Sequence, residues 1–167
     1  MEINNGYGTF ARADLADAIE AGRVRTLDGF KNDHLGPASI DLAIATGPDA
    51  AMYELDMLLK PQAYGSKCES VRELLDMSGA KLRQPGHIME PGHTYVCKST
   101  VGLNLPPGMY AYMNARSTIG RSFLHSFTIM DGSTIFDGVD KRQQGYTGEV
   151  WLVLKPLCFR TRLSIDV

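Results

Sequence analysis

Arg116, Ser117, Thr118, Gly120 and Arg121 crowd two cations, two hydroxyls and a glycine into the stretch NARSTIGRS, residues 114–122. Small polar residues between two cations suit a tight turn, or one helical turn whose backbone N–H groups point outward. Such N–H groups, with hydroxyls and flanking guanidinium groups, make a nest for an anion and above all for phosphate. A plainer role is open to the same residues: a helix N-cap at Ser117 between two surface arginines.

Two further stretches bear on that choice. GPASIDLAIA sets Asp41 among small and apolar residues, and TIFDGVDKRQQGYTGEVWLVL joins acidic residues, a Gly-Tyr-x-Gly turn and a strongly apolar run. Other constellations carry less. His87, Glu90 and His93 in HIMEPGH have spacings that could suggest a metal site. Pro91-Gly92 breaks any helix that would align them, so the segment reads as strand–turn–strand with ordinary surface histidines. Trp151, flanked by Val150 and Leu152, reads as a core or subunit-contact residue rather than a stacking platform. Ser117 and His125 could belong to a hydrolase, but no Gly-x-Ser-x-Gly elbow exists. The His-x-Glu and Pro-Cys-x-x-Cys signatures of zinc nucleoside deaminases are missing too, so any deamination would proceed without zinc.

Composition sets the bounds. The 167 residues suffice for one domain with a real core, and 44% hydrophobic with 22% charged residues is ordinary for a globular chain. A net charge of −2 gives no reason to expect polymeric nucleic acid, so an anion must be held by a local cluster. Cys68, Cys97 and Cys158 form no CxxC pair, which fits a reducing, cytoplasmic setting. No signal peptide is legible, and no stretch approaches the roughly 18 apolar residues of a membrane-spanning helix.

The elements that must position these residues are mostly strands. After a loose arm over residues 1–10, RADLADAIEAG has a helical apolar face and Gly22 as its stop. ASIDLAIAT alternates with period two, which predicts a strand. Ser66 and Glu69 have capping-box spacing, which predicts a short helix over residues 67–77. From residue 80 onward, short segments (TYVCKS, MYAYMN, FTIM, TIFD, EVWLVLK, RLSIDV) alternate with turn dipeptides, the pattern of an all-β sandwich or barrel with one or two short helices. RTRLSIDV runs as a strand to the last residue, so residues 11–167 are expected to form one domain lacking its C-terminal strand and tail, as in a fragment of a longer protein.

The order of strand with Asp41, Arg-Ser turn, and Asp followed by Gly-Tyr-x-Gly resembles the dCTP deaminase and dUTPase superfamily. ADLADAIEAGRV with PASIDL, LPPGMYAYMNARSTIGR, and GYTGEVWLVL are similar to three of its segments in order, and the whole is most similar to the N-terminal half of two-domain bacterial dCTP deaminases. The resemblance implies a distorted jelly-roll β-barrel, a homotrimer with sites between subunits, and hydrolytic deamination of dCTP to dUTP. Mg²⁺ would be carried by the triphosphate of dCTP, or of dUTP or dTTP. It implies Arg116, Ser117 and Thr118 on the phosphates, Arg121 beside the base, and Tyr146 stacked under the sugar. The sugar-contacting aspartate is Asp137 or Asp140, with Asp137 favoured by its apolar lead-in; Arg121, Ser117 and Asp137 are the catalytic candidates.

One match fails. The deaminases place a proton-shuttling glutamate five residues after the glycine that corresponds to Gly148, and here that position is Val153. Glu149 shares the strand face of Val153, but four residues at about 3.3 Å each separate them. A register shift or bulge would be needed to bring it into place. Two alternatives therefore stand beside deamination: a dUTP pyrophosphatase, and a catalytically silent nucleotide-binding or trimer-forming domain. Arg121 and the N-terminal helix favour the deaminase branch, whereas neither enzyme's glycine-rich C-terminal segment is present.

Overall fold

Helix α1 (Arg12–Glu20) opens the fold. Asp14 accepts the Ala11 N–H at 2.9 Å, so a carboxylate meets the helix N-terminus where free N–H groups need an acceptor. At the other end Gly22 takes φ 70°, and the N–H groups of Gly22 and Arg23 return to Ile19 and Ala18. This is the double-bonded helix stop that favours glycine. The structure, a computed structural model, describes residues 8–55, 70–84, 86–132, 138–141 and 143–163. Most of the arm expected over residues 1–10 lies outside them, although Phe10 packs against the core.

Two long strands, β5 (Thr94–Leu105) and β9 (Tyr146–Pro156), pair antiparallel and form the spine. β7 (Leu124–Met130) lies on the free edge of β9. On the other edge of β5, β2 (Met52–Leu55) and β1 (Val24–Thr26) sit end to end, and β3 (Lys81–Arg83) pairs with β2. Two ribbons complete the strands, β4 (Ile88–Met89) with β10 (Thr161–Arg162) and β6 (Ala111–Tyr112) with β8 (Gly138–Val139). Antiparallel sheets with three short helices among the described residues agree with the all-β expectation. The third helix, α3 (Ser117–Arg121), is the polar turn itself, folded as one helical turn.

The residues expected as a strand over ASIDLAIAT form only isolated bridges, Leu35 to Ile40 and Ile44 to Ser99. Their backbone groups are nonetheless bonded: Thr100 N–H donates to Ala43 O, Ala45 N–H to Lys98 O, and Asp41 N–H to His34 O. On the edge of β5 that carries β1 and β2, only Lys98–Thr100 is open to them, because β2 pairs with Thr94–Cys97 and β1 with Val101–Leu103, so no longer ladder can form. The second helix also departs from expectation. α2 (Val71–Met77) is capped by Ser70, whose Oγ accepts from Glu73 N–H at 3.1 Å, rather than starting at 67; Ser66 and Glu69 lie outside the described residues. Asp131 adds a carboxylate to the Val71 N–H at 2.6 Å. Of the expected strands, TIFD and the last four residues of RLSIDV lie outside the described residues, and MYAYMN is reduced to β6.

Apolar residues occupy both sheet faces. On one, Tyr146, Val150 and Leu154 of β9 belong to clusters shared with Ala18, Leu103, Leu105, Val139, Tyr95 and Leu124. On the opposite face Trp151 and Val153 join Val96 with Val71 and Leu75 of α2. This is period two along β9, with α1 and α3 on one side and α2 on the other.

Candidate functional site

The polar turn is built by a short helix that its own sequence makes weak and its packing makes definite. Ile119 is its one apolar anchor and packs beside Leu152, Leu154 and Ile44. The N-cap is Arg116, not Ser117, with Arg116 O accepting from Ile119 N–H at 3.0 Å. Ser117 and Thr118 follow in the first turn, and Arg121 ends the helix; all four side chains are exposed. Ser122 closes the turn, its hydroxyl donating to Thr118 O at 3.0 Å. The next residue, Phe123, takes φ 53°, a left-handed conformation uncommon for an aromatic residue. It turns the chain directly into β7.

Asp41 reaches this turn. Arg116 Nε donates to Asp41 Oδ1 at 3.1 Å, and Nη2 donates to Oδ2, a two-pronged ion pair between residues far apart in sequence. The Arg116 side chain stays 69% exposed and Asp41 28%. Sequence patterning flagged Asp41 only as an acid among apolar residues. Its pairing with Arg116 depends on how residues 38–46 run along β5, which periodicity does not encode. By contrast, Arg121 makes no ion pair among the described residues.

The remaining expected residues divide. Asp137 lies outside the described residues. Asp140 directly follows β8, whose register pairs Tyr112 with Gly138 and Ala111 with Val139. Because β6 leads toward Arg116, Asp140 sits past the end of this ribbon that points away from the turn. Tyr146 starts β9 and is 7% exposed, within the cluster of Leu105, Val139 and Val150. Its ring is therefore enclosed by this chain rather than presented on the surface. Burial pushes the phenol up to about 12, reinforced by the Asp131 charge, while the Asp131 amide pulls the other way without meeting hydrogen-bond geometry. The hydroxyl has no hydrogen-bond partner among the described residues.

Val153 is 3% exposed and pairs with Val96 on one side and Phe127 on the other, under Val71 and Leu75 of α2. Glu149 does not replace it. β9 pairs with β7 in unbroken register from Val150 to Pro156, so the strand carries no bulge to slide Glu149 forward. Instead Glu149 holds Lys98 at 2.9 Å, and Lys98 also meets Asp49 at 3.5 Å. The irregularity lies on β5, beside these charges.

The histidines of HIMEPGH form the expected strand–turn–strand, yet they are more than surface residues. His93 Nδ1 bonds Glu54 Oε1, Arg83 Nε donates to Glu54 Oε2 at 2.6 Å, Tyr95 Oη donates to Oε1 at 3.4 Å, and His87 Nε2 lies 3.9 Å away. Burial would raise the Glu54 carboxyl, but the His93 and Arg83 bonds and charges outweigh it and hold it below 4.5. Glu54 was missed because its partners Arg83, His93 and Tyr95 lie 29, 39 and 41 residues further along the chain. Among the described residues no group of three His, Cys, Asp or Glu side chains is placed to hold a metal ion. No described helix is long and apolar enough to cross a membrane.

Comparison with known proteins places this geometry. The family model for the 2'-deoxycytidine 5'-triphosphate deaminase N-terminal domain matches residues 6–165. The crystal structure of 2'-deoxycytidine 5'-triphosphate deaminase from Agrobacterium tumefaciens shares the fold, with TM-score 0.77 over 93% of this chain at 23% identity. The present chain spans 44% of that protein. No curated protein matches. With the Arg-Ser turn, the two-sided β spine and the matched family model in hand, the chain belongs to the family of dCTP deaminase N-terminal domains.

Proposed function

We propose that this chain is a deoxynucleotide-triphosphate-binding domain that works in the hydrolytic deamination of dCTP to dUTP and ammonia. The observation that carries this reading is the Arg116–Ser117–Thr118 turn with Asp41 fixed against it, inside a family-matched fold. Arg116 and the two hydroxyls donate to phosphate oxygens, and Arg121, with no carboxylate holding it among the described residues, reaches toward the base. Asp137 contacts the sugar; the β6–β8 register, which directs Asp140 away from the turn, supports that choice. Tyr146 supports the sugar pocket from beneath as part of the core. Mg²⁺ comes with the triphosphate and supplies charge neutralisation there. The acid at the turn, Asp41, is already taken by Arg116, and Asp49 and Glu149 by Lys98. Residues 11–167 act as one domain, and the working assembly is a homotrimer.

Deamination needs a group that takes a proton from the attacking water and returns it to the leaving amine. Val153 cannot do this. The burial of Val153 favours a second reading, in which this domain binds nucleotide without turning it over and the carboxylate belongs elsewhere in a longer protein. Incubation with dCTP and with dUTP separately, following ammonia and pyrophosphate, discriminates the readings. Ammonia from dCTP supports deamination, pyrophosphate from dUTP supports a pyrophosphatase, and binding in silence supports the second reading. Arg116→Ala should weaken dCTP binding by about 1.5–3 kcal/mol, the worth of a charge-assisted contact. Unchanged affinity would remove the phosphate turn from the site.

A further inference from the structure

A guanidinium has five N–H donors, arranged along two edges that can each engage a bidentate acceptor. In Arg116 the Nε–Nη2 edge is taken by Asp41. Three N–H groups remain, on Nη1 and the far side of Nη2, and no acceptor takes them among the described residues. They point away from Asp41, as the planar geometry of the group requires.

An ordinary exposed ion pair contributes only about 0–1 kcal/mol, because both side chains must be ordered. Here one partner is ordered by the fold already. Asp41 N–H donates to His34 O at 2.8 Å, and Thr100 N–H donates to Ala43 O at 2.9 Å. Ala43 N–H donates to Thr100 Oγ1 at 3.3 Å, and the neighbours Ile40 and Leu42 pack against the core. The backbone that carries the carboxylate is thus fixed, whereas Arg116 is exposed at the cap of a short helix whose own capping does not orient it.

Resting on the triphosphate-binding reading above, we propose that Asp41 is a positioning residue: it locks the Nε–Nη2 edge of Arg116 so that the opposite Nη1–Nη2 edge faces the nucleotide's phosphates. The two arginines of the turn then have different duties. Arg116 is preset and receives phosphate without reordering, while Arg121 adapts to what lies beyond. Lysine cannot substitute at 116, since a single ammonium cannot serve Asp41 and a phosphate with two flat edges.

The test is a calorimetric titration of the whole chain with Mg²⁺–dCTP for wild type, Asp41→Asn, Arg116→Lys, Arg116→Ala and the double variant Asp41→Asn with Arg116→Ala. Thermal melts check that each folds. Asp41→Asn should weaken binding about 5–20-fold, Arg116→Lys should bind within about 3-fold of Arg116→Ala, and the double variant should be no weaker than Arg116→Ala. Asp41→Glu should recover part of the loss. In the nucleotide-free protein, a slowly exchanging Arg Nε–H resonance should vanish in both Arg116→Ala and Asp41→Asn. Binding by Asp41→Asn as tight as wild type or tighter, with Arg116→Ala weakened, would make Asp41 a competitor of phosphate and overturn the proposal while sparing the phosphate turn. Equal weakening by Asp41→Asn with and without Arg116 overturns it as well. If the Nε–H resonance behaves as stated but no Arg116 variant alters dCTP binding, the triphosphate reading fails and the positioning role falls with it. Should Asp41→Asn not fold, wild-type affinity in Arg116→Lys is sufficient to reject the two-edge geometry.

Discussion

Val153 and Tyr146 stand at positions where the resemblance implies contact with substrate, and the fold encloses both. For Val153 the enclosure is by α2, whose Val71 and Leu75 share its apolar cluster. A carboxylate there would lose its hydration among the apolar side chains of this cluster. Val153→Glu should therefore destabilise the chain by on the order of 3 kcal/mol in denaturant unfolding without conferring release of ammonia from dCTP. A stable, deaminating variant would show that α2 moves aside. For Tyr146 the enclosed hydroxyl has no partner among the described residues, and an unpaired buried polar atom is itself a cost. Tyr146→Phe should leave stability unchanged or raise it by up to about 1 kcal/mol. A loss of more than that on melting would reveal a partner beyond the described residues.

Elements were legible wherever local signals sufficed. α1 shows an apolar face, an acidic first turn and Gly22 beyond its end, and it forms as expected. The left-handed Gly22 has no atom within 4 Å of where a Cβ would stand, so the only cost of Gly22→Ala is backbone strain. That substitution should cost about 1 kcal/mol and lower the melting temperature by roughly 2–4 °C. An unchanged melting temperature would mean that the helix stop tolerates a side chain. ASIDLAIAT misled for a physical reason. Its alternation sets Ile40, Leu42 and Ile44 against the core clusters, but a strand also needs a free edge to pair with. β1 and β2 already occupy β5 on either side of Lys98–Thr100, leaving only single bridges. For α2 the spacing of Ser66 with Glu69 is the same as that of Ser70 with Glu73, the true cap four residues later, which Asp131, distant in sequence, reinforces.

At the scale of the molecule, Glu54 ties together β2, β3, β5 and the turn before β5 through Arg83, His93 and Tyr95. Its carboxyl is held below 4.5, so the stability it contributes is fully present above that value and is lost as pH falls through the lowered folded pKa. Glu54→Gln should be less stable at neutrality by about 1–3 kcal/mol, and the difference from wild type should shrink as melts are taken down to about pH 3. A difference that persists or grows on acidification would show that the carboxylate's charge is not what holds these segments. The surface also carries exposed aromatic pairs, Phe123 with Phe159 and Tyr110 with Tyr112. These pairs suit burial between subunits, in keeping with the proposed homotrimer. Light scattering should give the trimer mass, and a monomer would count against a site shared between chains.

The sequence by itself determined the β-rich class, the first helix, the polar turn and the absence of a carboxylate at Val153, since each depends on residue type and short spacing. Only the tertiary structure decided that Asp41 holds Arg116, that Glu54 gathers two histidines and an arginine, that Glu149 belongs to Lys98, and that Val153 lies under α2. Those facts are relations between segments dozens of residues apart. They are set by strand order, by the irregular register of β5 and by which face of β9 each helix covers, and none of these leaves a periodic trace along the chain.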